Sequence, residues 1–321
     1  MEVPPARPLD IERTPPHVVK LFGGDPSTLK FVAKAQNYVF RFEDSATRAP
    51  RILRLTDSSR RLANHIEAEI EFLTYLKEQG CGVPACFASQ DGRFVETTGE
   101  NEPEFFAIVQ EDVDGEPIKV GTDATNRPAM AAIGQWIGKL HAKSVDFQPQ
   151  RATRFHWFED DLYQQPEQYL PESEPKLREE LAELIRWINR RSADRQTYGL
   201  VHGDMVLSNF RVRDGRIIAF DFDDCCYNWF SFDIAVALIS IRELPRKYRL
   251  PYFEIFINAY AKEKSLCGDT CKEIAWFSRL CAMIRYIFEL RLLDKNNPDP
   301  DQVKLVESRR QDVLNPVDWC L

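Results

Sequence analysis

His202-Gly203-Asp204-Met205-Val206-Leu207-Ser208-Asn209, followed by an apolar run that ends in Phe220-Asp221-Phe222-Asp223, decides how this 321-residue chain is read. An Asp and an Asn five positions apart, then a further Asp at a strand end, match what phosphoryl transfer from ATP requires. One carboxylate has to orient the attacking hydroxyl, and one amide and one carboxylate have to hold Mg²⁺ against the phosphates. On this reading Asp204 accepts a hydrogen bond from the acceptor hydroxyl and takes its proton late. Asn209 offers an amide oxygen to the metal, Asp221 is the main metal ligand, and Asp223 is an auxiliary one. The competing readings are an Asp–Asn turn that caps itself and, for Asp223, a solvated charge. Asp221, Asp223 and Asp224 repel one another unless a cation is near, which favours the metal.

Upstream, residues 28–42 alternate as two strands around a turn near Gln36-Asn37, and Pro50–Thr56 reads as a third. Within it Ile52 and Arg54 share one face, Leu53 and Leu55 the other. Leu62, Ile66, Leu73 and Leu76 form a helical stripe that stops at Gly80. Glu69 falls on this inward stripe and needs a partner there; Arg54 is the candidate, with Arg51 a rival of opposite strand parity. The plainer alternative is a Glu69 that snorkels to water. Val83–Glu96 and Glu104–Gln110 read as further strands. Glu111–Pro117 is polar, carries Gly115 and Pro117, and reads as a connection between lobes.

Beyond it the pattern is helical: Met130–His141, a stripe through Leu177, Leu181, Leu184, Ile185 and Ile188, an all-apolar Ile234–Ile241, then Tyr252–Glu263 and Ile274–Leu293. His141 ends its helix on this reading. His202 props the Asp204 loop through backbone hydrogen bonds. Asp233 caps a buried helix, braces the Asp204 loop, or does both. The organisation expected is a Pro-rich leader (1–18), a small antiparallel β lobe with one helix (19–110), a hinge (111–117) and a larger, mainly helical lobe (118–321): an α+β, two-lobed fold.

The composition, 44% hydrophobic and 29% charged, is that of a globular chain, and a net charge of −8 argues against a nucleic-acid binder. It suits a cationic substrate, although many cytosolic enzymes are mildly acidic. The start of the chain lacks an apolar signal core and no apolar run is long enough for a membrane. A cytoplasmic protein with reduced thiols follows. Neither Cys225-Cys226 nor Cys267 with Cys271 has zinc-site spacing, and all read as buried thiols. Trp136, Trp157, Trp187, Trp229 and Trp276 read as core. No dinucleotide or P-loop glycine motif is present.

Leu53-Arg54-Leu55, Glu69, Gly80–Pro84, Gly138-Lys139-Leu140-His141, the His202–Asn209 motif, Phe220–Asp224 and Asp233-Ile234-Ala235 together resemble the aminoglycoside phosphotransferase/choline kinase superfamily, in that family's order. The resemblance implies a protein-kinase-like fold, ATP and Mg²⁺, a base at Asp204, and metal ligands at Asn209 and Asp221. It implies a phosphate-holding Arg54 locked by Glu69, and an adenine pocket along the backbone of Gln110, Glu111 and Val113 with Ile52 as a wall. Two departures stand out. The cation is Arg rather than Lys, which keeps the phosphate role. The nucleotide-covering turn has no glycine, and Asn37 is expected to close it with its side chain.

Eleven residues separate Asp221 from Asp233. A protein kinase needs a long activation segment there, and no Ala-Pro-Glu follows. The acceptor expected is therefore a small hydroxyl compound, aminoglycoside-, homoserine- or choline-like, bound by residues 151–192 and the C-terminal helices. A protein Ser/Thr kinase and a catalytically silent nucleotide-binding module are the alternatives; intact Asp204, Asn209 and Asp221 speak against the module.

Overall fold

The alternation of apolar residues through 38–57 and the apolar run at 105–109 are realised as a sheet with a helix on each face. The computed structural model describes residues 9–99, 104–121, 127–159, 161–266, 270–294 and 297–319. The first eight leader residues and Cys267 lie outside these, and the side chain of Cys271 is likewise not described. In chain order the elements are α1 (Thr14–Leu21), β1 (Gly24–Lys34), β2 (Tyr38–Asp44), β3 (Pro50–Asp57), α2 (Ala63–Glu78), β4 (Cys86–Phe87), β5 (Glu96–Thr98), β6 (Phe105–Glu111), β7 (Glu116–Pro117) and α3 (Arg127–Asp146). There follow α4 (Asp161–Gln164), α5 (Pro175–Ile188), β8 (Tyr198–Val201), β9 (Phe210–Arg213), β10 (Arg216–Ala219), β11 (Cys226–Trp229), α6 (Phe230–Leu238), α7 (Arg246–Tyr260), α8 (Thr270–Leu292) and α9 (Pro300–Leu314).

Two compact units result. The first comprises the described residues up to Glu116 with Phe147–Arg154 and Phe210–Asp223; the second comprises Pro117–Asp146, Phe155–Asn209 and the chain from Asp224 onward. The sequence reading had placed 147–154 and 210–223 with the larger lobe.

In the first unit β1, β2, β3, β6 and β4 pair in that order, antiparallel throughout, with β5 also on β6. Leu53 and Leu55 pack with Phe40, Phe42, Phe105, Ala107 and Val109 against Val18 and Val19 of α1. On the opposite face Phe106 and Ile108 meet Ile66 and Ile70 of α2. With both faces covered, β6 has to be apolar at consecutive positions, and residues 105–109 are all buried. The lobe thus has two helices where one was expected. Pro15 and Pro16, read as part of a leader, are the opening residues of α1, where a missing N–H costs nothing. The β9–β10 hairpin docks on this unit by backbone approach: Ala219 N–H donates to the Gly82 carbonyl at 2.9 Å. A Cβ on Gly82 would lie 2.0 Å from the Ile217 carbonyl oxygen, so only glycine fits there.

In the second unit α3 packs on α7, α6 on α8, and α8 on α9, while β8 and β11 pair antiparallel. Except at Ser231, α6 is buried all round. No helix among the described residues is long and apolar enough to cross a membrane.

Several boundaries differ from expectation. α3 continues to Asp146, so His141 is interior to its helix rather than at its end. α6 begins at Phe230 with Trp229 as N-cap, so Asp233 sits inside the first turn and is not the cap. Val83–Glu96 holds only β4 and the start of β5, separated by a turn at Ser89–Gly92. Leu62 lies at the α2 N-cap and is 59% exposed, so the buried stripe starts at Ile66. Trp187 and Trp276 are half-buried and stack on each other, 5.1 Å between centroids; Trp136, Trp157 and Trp229 are core, as expected.

Candidate active site

The first unit holds the cationic part. β3 places Arg54 on the face toward α2, opposite Leu53 and Leu55, with Ile108 of β6 and Val39 of β2 as cross-strand neighbours. Glu69, fully buried on α2, receives two parallel hydrogen bonds: Arg54 Nη1 to Oε1 at 2.9 Å and Nη2 to Oε2 at 2.6 Å. Bidentate geometry of this kind is strong and directional. Burial alone disfavours the Arg54 charge, but Glu69, then Asp223 and Asp221, outweigh it and raise its pKa above the ordinary arginine value. Arg51, the rival, instead lies with its guanidinium 3.5 Å from the Phe87 ring centre. Ile52 is half-buried, across from Gln110.

Asp223 is not a solvated charge. It is buried and stands among guanidinium groups: Arg60 Nη2 bonds its Oδ2, Arg54 Nη2 lies 3.8 Å and Arg61 Nε 4.0 Å from its Oδ1. Burial raises its pKa, and Arg54, Arg60 and Arg61 more than reverse this, holding the carboxyl well below the usual carboxylate range. Asn37 does not close its own turn with its side chain, as expected. The backbone does so, Ala35 N–H donating to the Asn37 carbonyl at 3.2 Å. The Asn37 amide instead donates to Asp223 Oδ2 at 3.2 Å and accepts from Arg60 Nη2 at 3.0 Å. Arg154, which the sequence reading did not single out, is buried and donates to the carbonyls of Asp223, 2.5 Å, and His65, 2.9 Å.

Asp221, two residues earlier, is exposed and has a positive φ of 67°. An Asp in this left-handed region marks a sharp exit from β10. The hinge backbone is partly committed: Glu111 N–H donates to the Ala85 carbonyl at 2.8 Å. The Glu111 carboxylate is fixed by Lys77, 3.0 Å, and Arg213, 2.9 Å. The Gln110 amide reaches Cys86 Sγ at 3.7 Å, and burial pushes that thiol up to about 12. The Val113 N–H donates no hydrogen bond among the described residues.

The second unit holds the loop that opened the sequence reading. After β8, Gly203 has φ +87°, and a Cβ there would lie 2.3 Å from the Asp224 carbonyl oxygen. This explains the glycine of the motif. Asp233 on α6 accepts from His202 N–H at 2.8 Å and from Gly203 N–H at 2.9 Å, one on each carboxylate oxygen. The brace role is therefore the one realised. The His202 ring, fully buried, accepts from Asp204 N–H through Nδ1 at 3.2 Å. Asn209 uses its Nδ2 to donate to both the Asp204 carbonyl and Asp204 Oδ2, each at 3.0 Å. Behind Asp233, His141 Nε2 lies 3.3 Å from its Oδ2 and His141 Nδ1 3.0 Å from the Tyr260 hydroxyl.

A strand cation locked by a helix glutamate, and an Asp–Asn loop anchored on a buried helix aspartate, define the protein-kinase-like fold. Residues 28–266 match the phosphotransferase enzyme family, and the chain belongs to that family. It is 28% identical over 304 residues to the amicoumacin kinase of Bacillus subtilis (strain 168), covering 92% of this chain and 89% of that protein. Among solved structures it is similar to the amicoumacin kinase hAmiN in complex with AMP-PNP, Ca²⁺ and Ami: TM-score 0.87, 25% identity, 96% of this chain and 95% of that one. The microcompartment-associated aminopropanol kinase superposes with TM-score 0.76 at 21% identity, covering 93% and 94%. The chain is accordingly a kinase that transfers phosphoryl groups to a hydroxyl of a small molecule.

Proposed function

We propose that the donor is ATP with Mg²⁺ and that the acceptor is a small amine-bearing alcohol. The observation that carries the reading is the Asp204–Asn209 pair. The amide Nδ2 of Asn209 pins one carboxylate oxygen of Asp204. The other oxygen is left to receive the acceptor O–H, orient it and take its proton as the bond to phosphorus forms.

The residues fit the metal. Among the described residues no three acidic, His or Cys side chains converge to make a cage. Mg²⁺ is ordinarily held by one or two carboxylates together with phosphate oxygens. The Asn209 amide oxygen, the Asp221 carboxylate and Asp223 Oδ1 are all hard oxygen donors, and Asp223 Oδ1 is buried without a hydrogen-bond partner. When bound, the ion supplies neutralisation of phosphate charge. Arg54 would hold the α/β-phosphates, its side chain fixed by Glu69 so that little ordering remains on binding. Val113 N–H would meet the edge of the base, against Ile52. A net charge of −8 favours a cationic acceptor. The five described thiols, Cys81, Cys86, Cys225, Cys226 and Cys281, form no disulfide, which supports a cytoplasmic setting.

The test is ADP release by the purified chain with MgATP and a panel of small alcohols, with and without amino groups, alongside generic protein substrates. Stimulation by amino alcohols above the neutral ones is expected. Stimulation by protein substrates alone, or by no alcohol, would overturn the reading.

A further inference from the structure

We propose that Arg60 is a triphosphate ligand of this chain, supplying a phosphate contact from the turn after β3, beside the glycine-free β1–β2 turn. The inference deepens the nucleotide reading above and rests on it. Its observations all lie in the first unit.

Arg60 is placed by the short turn that follows Asp57, whose carboxylate accepts from Ser59 N–H and Oγ–H at 2.8 Å each. From there its guanidinium reaches across to the β1–β2 turn, donating to Gln36 Oε1 and Asn37 Oδ1, and to Asp223. It is only 21% exposed. Arg54, Arg60 and Arg61 gather around Asp223, while Glu69 takes both Nη groups of Arg54. Arg54 Nε, Arg60 Nε and Asp223 Oδ1 are among the atoms buried here without a hydrogen-bond partner. Such groups are costly to leave unmatched. The two guanidinium Nε groups lack an acceptor, and Asp223 Oδ1 lacks a hydrogen-bond donor, with Arg54 and Arg61 standing 3.8 and 4.0 Å from it. A triphosphate would bring phosphate oxygens for the two guanidinium groups. With a cation held at Asp223, Arg60 would lose part of its compensation, which the β/γ-phosphates would replace. In this arrangement the phosphate contact comes from a side chain of the turn after β3.

The experiment titrates the full chain with fluorescent MANT-ATP, MANT-ADP and MANT-AMP in Mg²⁺, for the parent, Arg60→Gln, Arg60→Lys and Gln36→Ala. Arg60→Gln is expected to raise Kd for the triphosphate at least about tenfold, the loss of one charged hydrogen bond, while leaving MANT-AMP within twofold. Arg60→Lys should recover part of the loss, and Gln36→Ala should change little. Equal losses for all three nucleotides, no loss in Arg60→Gln, or the same triphosphate-specific loss in Gln36→Ala would each overturn the proposal. If Arg60→Gln lacks a cooperative thermal transition, Arg60→Lys decides alone: a loss confined to the triphosphate supports the ligand role, and none overturns it. Failure of the parent chain to bind any of the three overturns the nucleotide reading, and this inference with it.

Discussion

The two units hold their functional carboxylates by different means. In the first, Asp223 and Glu69 are held by charge, among Arg54, Arg60 and Arg61. In the second, Asp204 is held by neutral partners: its backbone N–H on the His202 ring, its carboxylate on the Asn209 amide, and its loop on Asp233 through two backbone amides. Formal charge is concentrated where, on the proposed reading, phosphate and metal charge would be matched. At Asp204, the proposed base, the contacts serve orientation, and no cation pairs with the carboxylate among the described residues. Ion pairing at Asp204 would lower its basicity, which a general base cannot tolerate.

The largest expected break in this contrast is at Asp204. Asp204→Ala should lower kcat by about 10³-fold or more while nucleotide binding persists; steady-state turnover together with MANT-ATP titration checks both parts. Unchanged turnover would remove Asp204 from its role. Next comes Glu69→Gln. It leaves Arg54 buried without its bidentate partner and should cost about 3 kcal/mol of stability, measured by urea unfolding, and raise KM for ATP. The smallest effect separates the units by pH. Burial lowers the His141 pKa, with Asp233 opposing it, so folded His141 stays neutral where the unfolded side chain protonates. Its contribution is fully present above the unfolded value of about 6.5 and is lost as pH falls from there toward the folded value, by at most about 1.4 kcal/mol per pH unit. The contribution of Asp223 is present above the unfolded carboxylate value of about 4 and is lost only below it. Urea stability should therefore begin to decline between pH 7 and 5.5, and His141→Asn should flatten that slope without touching the acid limb below pH 4.

Much of this was legible because it is local. The strands around Gln36-Asn37, the Arg54 parity, the Glu69 spacing and the Asp204–Asn209 offset are all set within a few residues; the strands are realised in the backbone, and the Arg54–Glu69 and Asp204–Asn209 pairs in side-chain hydrogen bonds. What was not legible has identifiable causes. Pro15 and Pro16 read as leader because prolines punctuate, yet at the first turn they start a helix; that rule was the signal available. Asp221 carries a positive φ that no neighbouring glycine announces. The ring of arginines on Asp223 joins residues up to 169 positions apart, which periodicity cannot register. Arg154 lies in a segment with no regular structure of its own, where only the fold reveals its two carbonyl partners.

Neither unit is continuous in sequence: the polypeptide passes from one to the other after Glu116, Asp146, Arg154, Asn209 and Asp223. Asn209 and Phe210 are joined by one peptide bond, as are Asp223 and Asp224. Recombination therefore has no single splice point at which the helical unit could be traded between relatives as a cassette. The Asp204–Asp221 stretch crosses from the helical unit into the other within itself, and no exchange of either unit as a single block leaves it intact.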